Sequence, residues 1–196
     1  MSLGNLLDSD FTKRTFDFTL AFILFVIFLP LFIIISIFIK LSSKGSIIYK
    51  QERIGKNNRS FILYKFRTMK QDQIGPLWTD ENDTRVTPGG KMLRSTHLDE
   101  LPQLINILNG SISFVGPRPE RSELVELYRQ LPNYKIRHTV RPGLTGWAQL
   151  RYKPSTSLEE AKEKLQYDTY YIQNRSFMLD IIILLKTIKH LYLPFL

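Results

Sequence analysis

Two adjacent acids, Asp99-Glu100, stand between Arg94 and the stiff corner Gly116-Pro117-Arg118-Pro119, and this neighbourhood is where the sequence offers chemistry. Leu98, Leu101, Leu104, Ile105 and Leu108 recur at helical spacing and Asn109-Gly110 supplies a stop, so the pattern predicts a helix. Pro102 is tolerated only in a first turn, which starts the helix proper near Leu101 and leaves Asp99 and Glu100 at its amino end. Free amides and the positive end of the helix dipole keep a carboxylate ionised there, which suits a nucleophile or a metal ligand. They suit a plain helix cap equally well.

The cations shift that balance. An arginine between two prolines has a stiff backbone, and its guanidinium fork matches phosphate. A second corner, Arg141-Pro142-Gly143-Leu144-Thr145-Gly146-Trp147, repeats the arginine and proline and adds glycines that permit close backbone approach. Each corner alone is an ordinary structural turn. Together with the acidic pair they read as a site for a doubly phosphorylated ligand and a divalent cation. No P-loop and no GxGxxG is present, and His97, His138 and His190 are scattered without metal-site spacing.

The elements that must position these groups are a mixture of helix and strand. Residues 46–49 and 61–68 are rich in β-branched and aromatic side chains around Gly55-Lys56-Asn57-Asn58, which predicts a hairpin. On its second strand Lys65 and Arg67 share one face, an arrangement that is commonly just a solvated edge. Residues 70–90 are polar, with Gly75-Pro76 and Pro88-Gly89-Gly90 as breakers, and predict a loop long enough to serve as a lid. Ser157 and Glu160 have capping-box spacing, ahead of a mostly apolar face formed by Leu158, Ala161, Leu165, Asp168 and Ile172.

Composition narrows the partners. The 196 residues carry 27 Lys+Arg against 18 Asp+Glu, a net charge of +9, which calls for an anionic partner. The absence of cysteine removes disulfide scaffolds, thiol nucleophiles and Cys-type zinc sites. Residues 18–39 hold no charge at all, a run matched to the hydrocarbon thickness of a bilayer and too long for a signal peptide's apolar region. Lys13 and Arg14 before it, and Lys40, Lys44, Lys50 and Arg53 after it, compete to stay on the cytoplasmic side. Pro30 near the middle predicts a kink, and we read the segment as a helix that enters the bilayer, bends and returns to the same face, with a straight anchor as the alternative. Near the carboxyl end the chain turns apolar again from Phe177, but Asp180, Lys186 and Lys189 interrupt it, which favours a helix lying in the membrane interface. Tyr167, Tyr170 and Tyr171 suit a headgroup boundary.

The order Lys13-Arg14-x-x-Asp17, apolar run with central proline, Tyr64-Lys65-Phe66-Arg67-Thr68-Met69, Leu98-Asp99-Glu100-Leu101-Pro102-Gln103-Leu104, Gly116-Pro117-Arg118-Pro119 and Arg141-Pro142-Gly143-Leu144-Thr145-Gly146-Trp147 resembles the bacterial sugar transferases that act on polyprenyl phosphate. In particular it resembles the small monotopic phosphoglycosyl transferases. The resemblance implies a small α/β, membrane-associated domain: residues 1–45 as lead-in and re-entrant helix, and 46–196 as a cytosolic catalytic domain with a short hairpin or sheet and interfacial helices. It implies transfer of a sugar 1-phosphate from a UDP-sugar to undecaprenyl phosphate at the cytoplasmic face of the bacterial inner membrane, with release of UMP, as the first membrane step of polysaccharide synthesis. It also implies an Asp99 nucleophile, Glu100 as a base or cation-site residue, Mg²⁺ at Asp99, and Lys65, Arg94, Arg118 and Arg141 on phosphate. Where short relatives often read Val-Asn-Gly-Arg, this chain has Leu150-Arg151-Tyr152-Lys153, which leaves the sugar open. A homodimer is compatible with all of this. Two rivals remain: a metal-dependent hydrolase of lipid diphosphates, and a non-catalytic scaffold binding anionic lipid. Nucleic acid ranks below both, since the basic residues lie beside a bilayer segment.

Overall fold

The computed structural model describes residues 3–42, 44–70, 83–152 and 157–192. The chain opens with α1 (Leu3–Ser42), a single helix of 40 residues with Pro30 inside it. By length and composition it is able to cross a membrane. One stripe of α1, marked by Asp17, Ala21, Ile35 and Ile39, is buried against the rest of the chain. The opposite side, including Phe22, Val26, Ile33, Ile37 and Leu41, stays apolar and exposed.

The stretch ahead of the apolar run is bolted to the domain by its charges. Arg14 donates to the carbonyls of Ile107 (2.5 Å) and Leu108 (2.7 Å), Asp17 accepts from the Phe114 amide at 3.3 Å, and Lys13 pairs with Asp180. Beyond Pro30, Ile35 and Ile39 pack with Phe66 and Leu93. Both arms of α1 therefore contact the same body of protein.

The hairpin forms as the sequence predicts, with a longer first strand. β1 (Ile48–Ile54) and β2 (Ser60–Phe66) are antiparallel, Ile48 opposite Phe66 and Ile54 opposite Ser60. The polar run Lys50-Gln51-Glu52-Arg53 belongs to β1 although nothing in its own composition favours a strand; pairing to the apolar β2 supplies the ladder. A short 3-10 turn (Lys56–Asn58) closes the hairpin, and Asn57 and Asn58 take the left-handed conformation that asparagine tolerates.

The breaker reading of Pro88-Gly89-Gly90 is corrected. These residues open α2 (Pro88–Ser95): the Thr87 hydroxyl caps the Gly90 amide at 3.0 Å, and proline is at home in a first turn where its missing amide costs nothing. Gly90 is required by packing, since a Cβ there would sit 2.0 Å from the Thr68 carbonyl oxygen. Gly75-Pro76 lies outside the described residues.

After α2 come a 3-10 turn (Leu98–Glu100), α3 (Gln103–Leu108), β3 (Ser113–Val115) and α4 (Ser122–Tyr128). A 3-10 segment (Tyr134–Thr139) then leads to β4 (Gly143–Thr145) and α5 (Trp147–Arg151), and the fold closes with α6 (Leu158–Asn174) and α7 (Phe177–Tyr192). β3 and β4 pair in parallel, so the architecture is mixed α/β with two small two-stranded sheets among the described residues. Ser157 caps α6 through the Glu160 amide at 3.2 Å, as the spacing predicts.

Two acids behave differently from expectation. Asp168, placed by spacing on an apolar face, is buried in an ion pair with Arg137 at 2.8 Å. Asp180, expected to be one of the polar interruptions of an interfacial helix, turns inward instead to Lys13 and the Tyr171 hydroxyl. Burial selects for partners, and each acid sits where a cation from another element reaches it. On its outer side α7 exposes Met178, Leu185 and Ile188.

Candidate active site

The site begins with a side chain that completes a sheet. One edge of β2 pairs with β1; on the other, the fully buried Asn106 of α3 accepts from the Tyr64 amide at 2.9 Å and donates to the Ile62 carbonyl at 2.7 Å. This carboxamide does what a neighbouring strand would do, and it lays α3 along β2. The 3-10 turn ahead of α3 is thereby brought beside Lys65.

Asp99 and Glu100 lie in that 3-10 turn and not in the first turn of α3, which starts at Gln103. His97 enters the turn with φ of 55°. At three residues per turn, consecutive side chains diverge by roughly 120°, and the two acids find different surroundings.

Glu100 is held by two cations, the Lys65 ammonium at 2.5 Å and the Arg118 guanidinium at 3.4 Å. Burial alone would raise its pKa, but Arg118 and Lys65 override it and hold the carboxyl down at about 2. Asp99, only 7% exposed, accepts no hydrogen bond among the described residues. Burial raises its pKa above the ordinary aspartate value, Lys65 opposes, and the Glu100 charge adds to the rise. Arg94 also acts on Asp99 through its charge, while its Nε donates to the Thr68 hydroxyl at 2.9 Å. Asp99 is thus a buried carboxylate with unused lone pairs beside two cations, and Glu100 is fully engaged.

Arg118 owes its place to the backbone around it. Its carbonyl accepts from Arg137 at 2.9 Å, Arg53 donates to the Pro119 carbonyl at 3.1 Å, and the Ile54 amide donates to the Glu120 carbonyl at 3.0 Å. Behind the corner, Arg137 also binds Asp168, and Lys164 binds Glu120 at 3.1 Å. None of this buried network was visible as a motif, because its members come from four separate stretches of chain.

The two arginine-bearing corners are neighbours. Gly116 donates its amide to the Thr145 carbonyl at 2.9 Å and Gly143 donates to Pro117 at 2.9 Å. A Cβ on Gly116 would stand 2.4 Å from the Arg141 carbonyl oxygen, and one on Gly146 would stand 2.2 Å from that of Gly116. The glycines serve the approach of one corner to the other. Lys65, Arg94 and Arg118 gather at the acidic pair; Arg141 does not join them among the described contacts. Its charge acts on Arg14, which sits at the carboxyl end of α3, away from Asp99.

A groove of about 730 Å³ opens beside Glu100 and Arg118. Arg53, Arg121 and Lys164 add charge to its wall, while Leu24 and Phe28 of α1 and Leu184 and Ile188 of α7 make another part apolar. His97 and His190 line it, whereas His138 is buried on the Gly55 carbonyl. Tyr171 is core and Tyr170 stacks on Trp147.

Among the described residues no cluster of three or more His, Asp or Glu could cage a metal. Asp99 offers a single uncommitted carboxylate, and Glu100 is taken by Lys65 and Arg118. That donor set fits Mg²⁺, which usually binds through one or two carboxylates and fills its octahedron with substrate phosphate oxygens and water.

Glu100, held by two cations, lines a groove that turns apolar, on a fold with one long apolar helix. The bacterial sugar transferase family profile matches residues 8–193, and the chain belongs to that family. It is 42% identical over 193 residues to the UDP-N-acetylgalactosamine-undecaprenyl-phosphate N-acetylgalactosaminephosphotransferase of Aeromonas hydrophila, covering 95% of this chain and 46% of the relative. It is 41% identical to the UDP-glucose:undecaprenyl-phosphate glucose-1-phosphate transferase of Escherichia coli (strain K12), over 90% of this chain and 39% of the relative. It is 38% identical to the exopolysaccharide production protein PSS of Rhizobium leguminosarum bv. phaseoli, over 90% of this chain and 92% of the relative. The chain therefore spans less than half the length of the first two relatives and nearly all of the third.

Proposed function

We propose that the protein transfers a sugar 1-phosphate from a UDP-sugar to undecaprenyl phosphate at the cytoplasmic face of the inner membrane, through a covalent intermediate on Asp99. The observation that carries this reading is the contrast within the acidic pair: Asp99 keeps its lone pairs free beside Lys65 and Arg94, while Glu100 is spent on Lys65 and Arg118. The names of the relatives support the substrates.

In the first half-reaction an Asp99 carboxylate oxygen attacks the phosphorus next to the sugar. The new Asp–O–P bond replaces the bond to the UMP oxygen, and UMP departs with that electron pair. A carboxylate approaching a diphosphate meets like-charge repulsion, so Lys65, Arg94 and Arg118 are required to offset it, and positioning with charge stabilisation carries most phosphoryl transfer. Asp99 would hold Mg²⁺, which would supply further neutralisation of charge on the leaving group. In the second half-reaction the phosphate oxygen of the lipid attacks the same phosphorus, and the Asp99 carboxylate leaves unchanged. Two successive displacements let one site serve a soluble donor and a membrane acceptor in turn. Glu100, with a pKa near 2, is a poor base; its part is to hold Lys65 and Arg118 in place.

The exposed apolar sides of α1 and α7 support a bilayer setting. The contacts of both arms of α1 with one body of protein support a helix that returns to the side it entered from. The groove then meets lipid through Leu24, Phe28, Leu184 and Ile188.

Incubation with UDP-glucose and with UDP-N-acetylgalactosamine, followed by intact-protein mass measurement and assay of released UMP, tests the reading. A phosphosugar adduct that disappears in Asp99→Asn is the expected result. Inorganic phosphate in place of UMP would point to a hydrolase, and lipid binding indifferent to both Mg²⁺ and Asp99, without an adduct, to a scaffold; either outcome overturns the proposal.

A further inference from the structure

The groove wall next to Arg118 carries more positive charge than its acids neutralise. Glu100 and Glu120 are the carboxylates there, and each already has a lysine, Lys65 at 2.5 Å and Lys164 at 3.1 Å. Arg118 adds a second cation to Glu100. Arg53 and Arg121 are left over.

Arg121, at the residue before α4, is partly exposed and lines the groove; its carbonyl accepts from the Val125 amide at 3.0 Å, but its guanidinium makes no hydrogen bond or ion pair among the described residues. Arg53 donates to neutral acceptors only, the Pro119 carbonyl at 3.1 Å and the Gln51 side-chain oxygen at 2.6 Å, and its Nε is buried without a partner. Burial and then the charge of Arg118 pull the Arg53 guanidinium down to about 10. Like charges gathered this way on a wall cost free energy until an anion arrives.

The anion's character is set by what continues from it. The same groove runs on to Leu24, Phe28, Leu184 and Ile188, so its complement has a phosphate at one end and an apolar body at the other. Asp99, Arg94 and Thr68 are not among the residues that line this groove.

We infer that Arg121, with Arg53 behind it, forms a second phosphate subsite that receives the phosphate monoester of the apolar acceptor, apart from the Lys65 and Arg94 groups that meet the sugar-nucleotide diphosphate. This rests on the function proposed above. It divides the cations into two sets: Lys65 and Arg94 act in the donor half-reaction, Arg53 and Arg121 in the acceptor half-reaction, and Arg118 stands at the seam.

The two half-reactions can be run separately on the full chain in lipid nanodiscs. Arg121→Gln and Arg121→Glu are compared with Arg121→Lys and the unaltered protein, first for the rate of adduct formation from the UDP-sugar, then for discharge of the adduct by undecaprenyl phosphate. Since the Arg121 guanidinium has no partner to lose, formation of the adduct also reports that the variants are folded. The expected result is discharge that needs on the order of 10-fold more acceptor in Arg121→Gln, more again in Arg121→Glu, and recovery in Arg121→Lys, with the adduct forming at an unchanged rate. A parallel loss of adduct formation would assign Arg121 to the donor, and unchanged discharge would leave it a surface arginine; each overturns the inference. Absence of any adduct in the unaltered protein refutes the underlying reaction instead.

Discussion

Lys65 Nζ stands 2.5 Å from Glu100 Oε1, and this ion pair gives the two adjacent acids different surroundings. Glu100 is ionised and occupied; Asp99 is buried and unoccupied. A carboxylate that has to attack phosphorus needs free lone pairs, and one that has to hold cations in register needs none.

Glu100→Gln keeps the shape and a weaker acceptor while removing the charge. We expect adduct formation to slow by on the order of 10-fold, the scale of a loosened positioning contact, whereas loss of a general base would cost roughly 10²–10⁴-fold. Single-turnover adduct kinetics decide between them.

The pH dependence has a definite sign. Below its pKa Asp99 is protonated and does not attack, so adduct formation should rise with pH through a value above the ordinary aspartate value, because burial raises this carboxyl. The Glu100 charge contributes to that rise, and Glu100→Gln should move the acid limb to lower pH. A rate–pH profile of both proteins checks this; a limb that stays put or moves upward contradicts it.

Asn106 is a structural dependency of the site. Asn106→Leu leaves the Tyr64 amide and the Ile62 carbonyl without partners at a part-buried strand edge, a loss of about 1–3 kcal/mol by the usual cost of unpaired groups. Denaturant unfolding in a membrane mimetic measures it. Adduct formation should fall in parallel, because the 3-10 turn loses its alignment on β2.

These residues mark how far the sequence could be read. Asp99, Glu100, Lys65, Arg94 and Arg118, singled out by residue type, motif and resemblance, come together in the structure. Arg141 shared their motif grammar, but among the described contacts its charge acts on Arg14 and not on the acidic pair, a relation between distant segments that local spacing does not show. Asn106 was hidden for the same reason: a lone amide inside an apolar helix looks like an interruption until β2 is laid beside it. Asp168 and Asp180 had their partners, Arg137 and Lys13, on elements that local periodicity does not connect. Pro88-Gly89-Gly90 misled because proline and glycine mark both a break and a helix start, and only the cap at Thr87 separates the two.

Gly116→Ala tests the pairing of the two corners. Its Cβ would come within 2.4 Å of the Arg141 carbonyl and 2.9 Å of the Gly143 amide nitrogen, both backbone atoms that cannot step aside alone. We expect a destabilisation of about 1–3 kcal/mol from overpacking and weaker binding of phosphorylated ligands through displacement of Arg118. Alanine at Gly55, where the nearest atoms are a Phe61 side chain at 3.2 Å, should be milder. Unfolding midpoints of the two variants, measured side by side, give the comparison.

The central claim is a mixed anhydride on one aspartate, and hydroxylamine reads it directly. After incubation with the UDP-sugar and Mg²⁺, hydroxylamine attacks an acyl phosphate and leaves a hydroxamate on the carboxyl that carried it. Peptide mass mapping is expected to find that hydroxamate on Asp99 alone and to find none when donor is omitted. A hydroxamate on Glu100 in place of Asp99, or an adduct that hydroxylamine removes without leaving a hydroxamate anywhere, as from a histidine such as His97, would contradict the account.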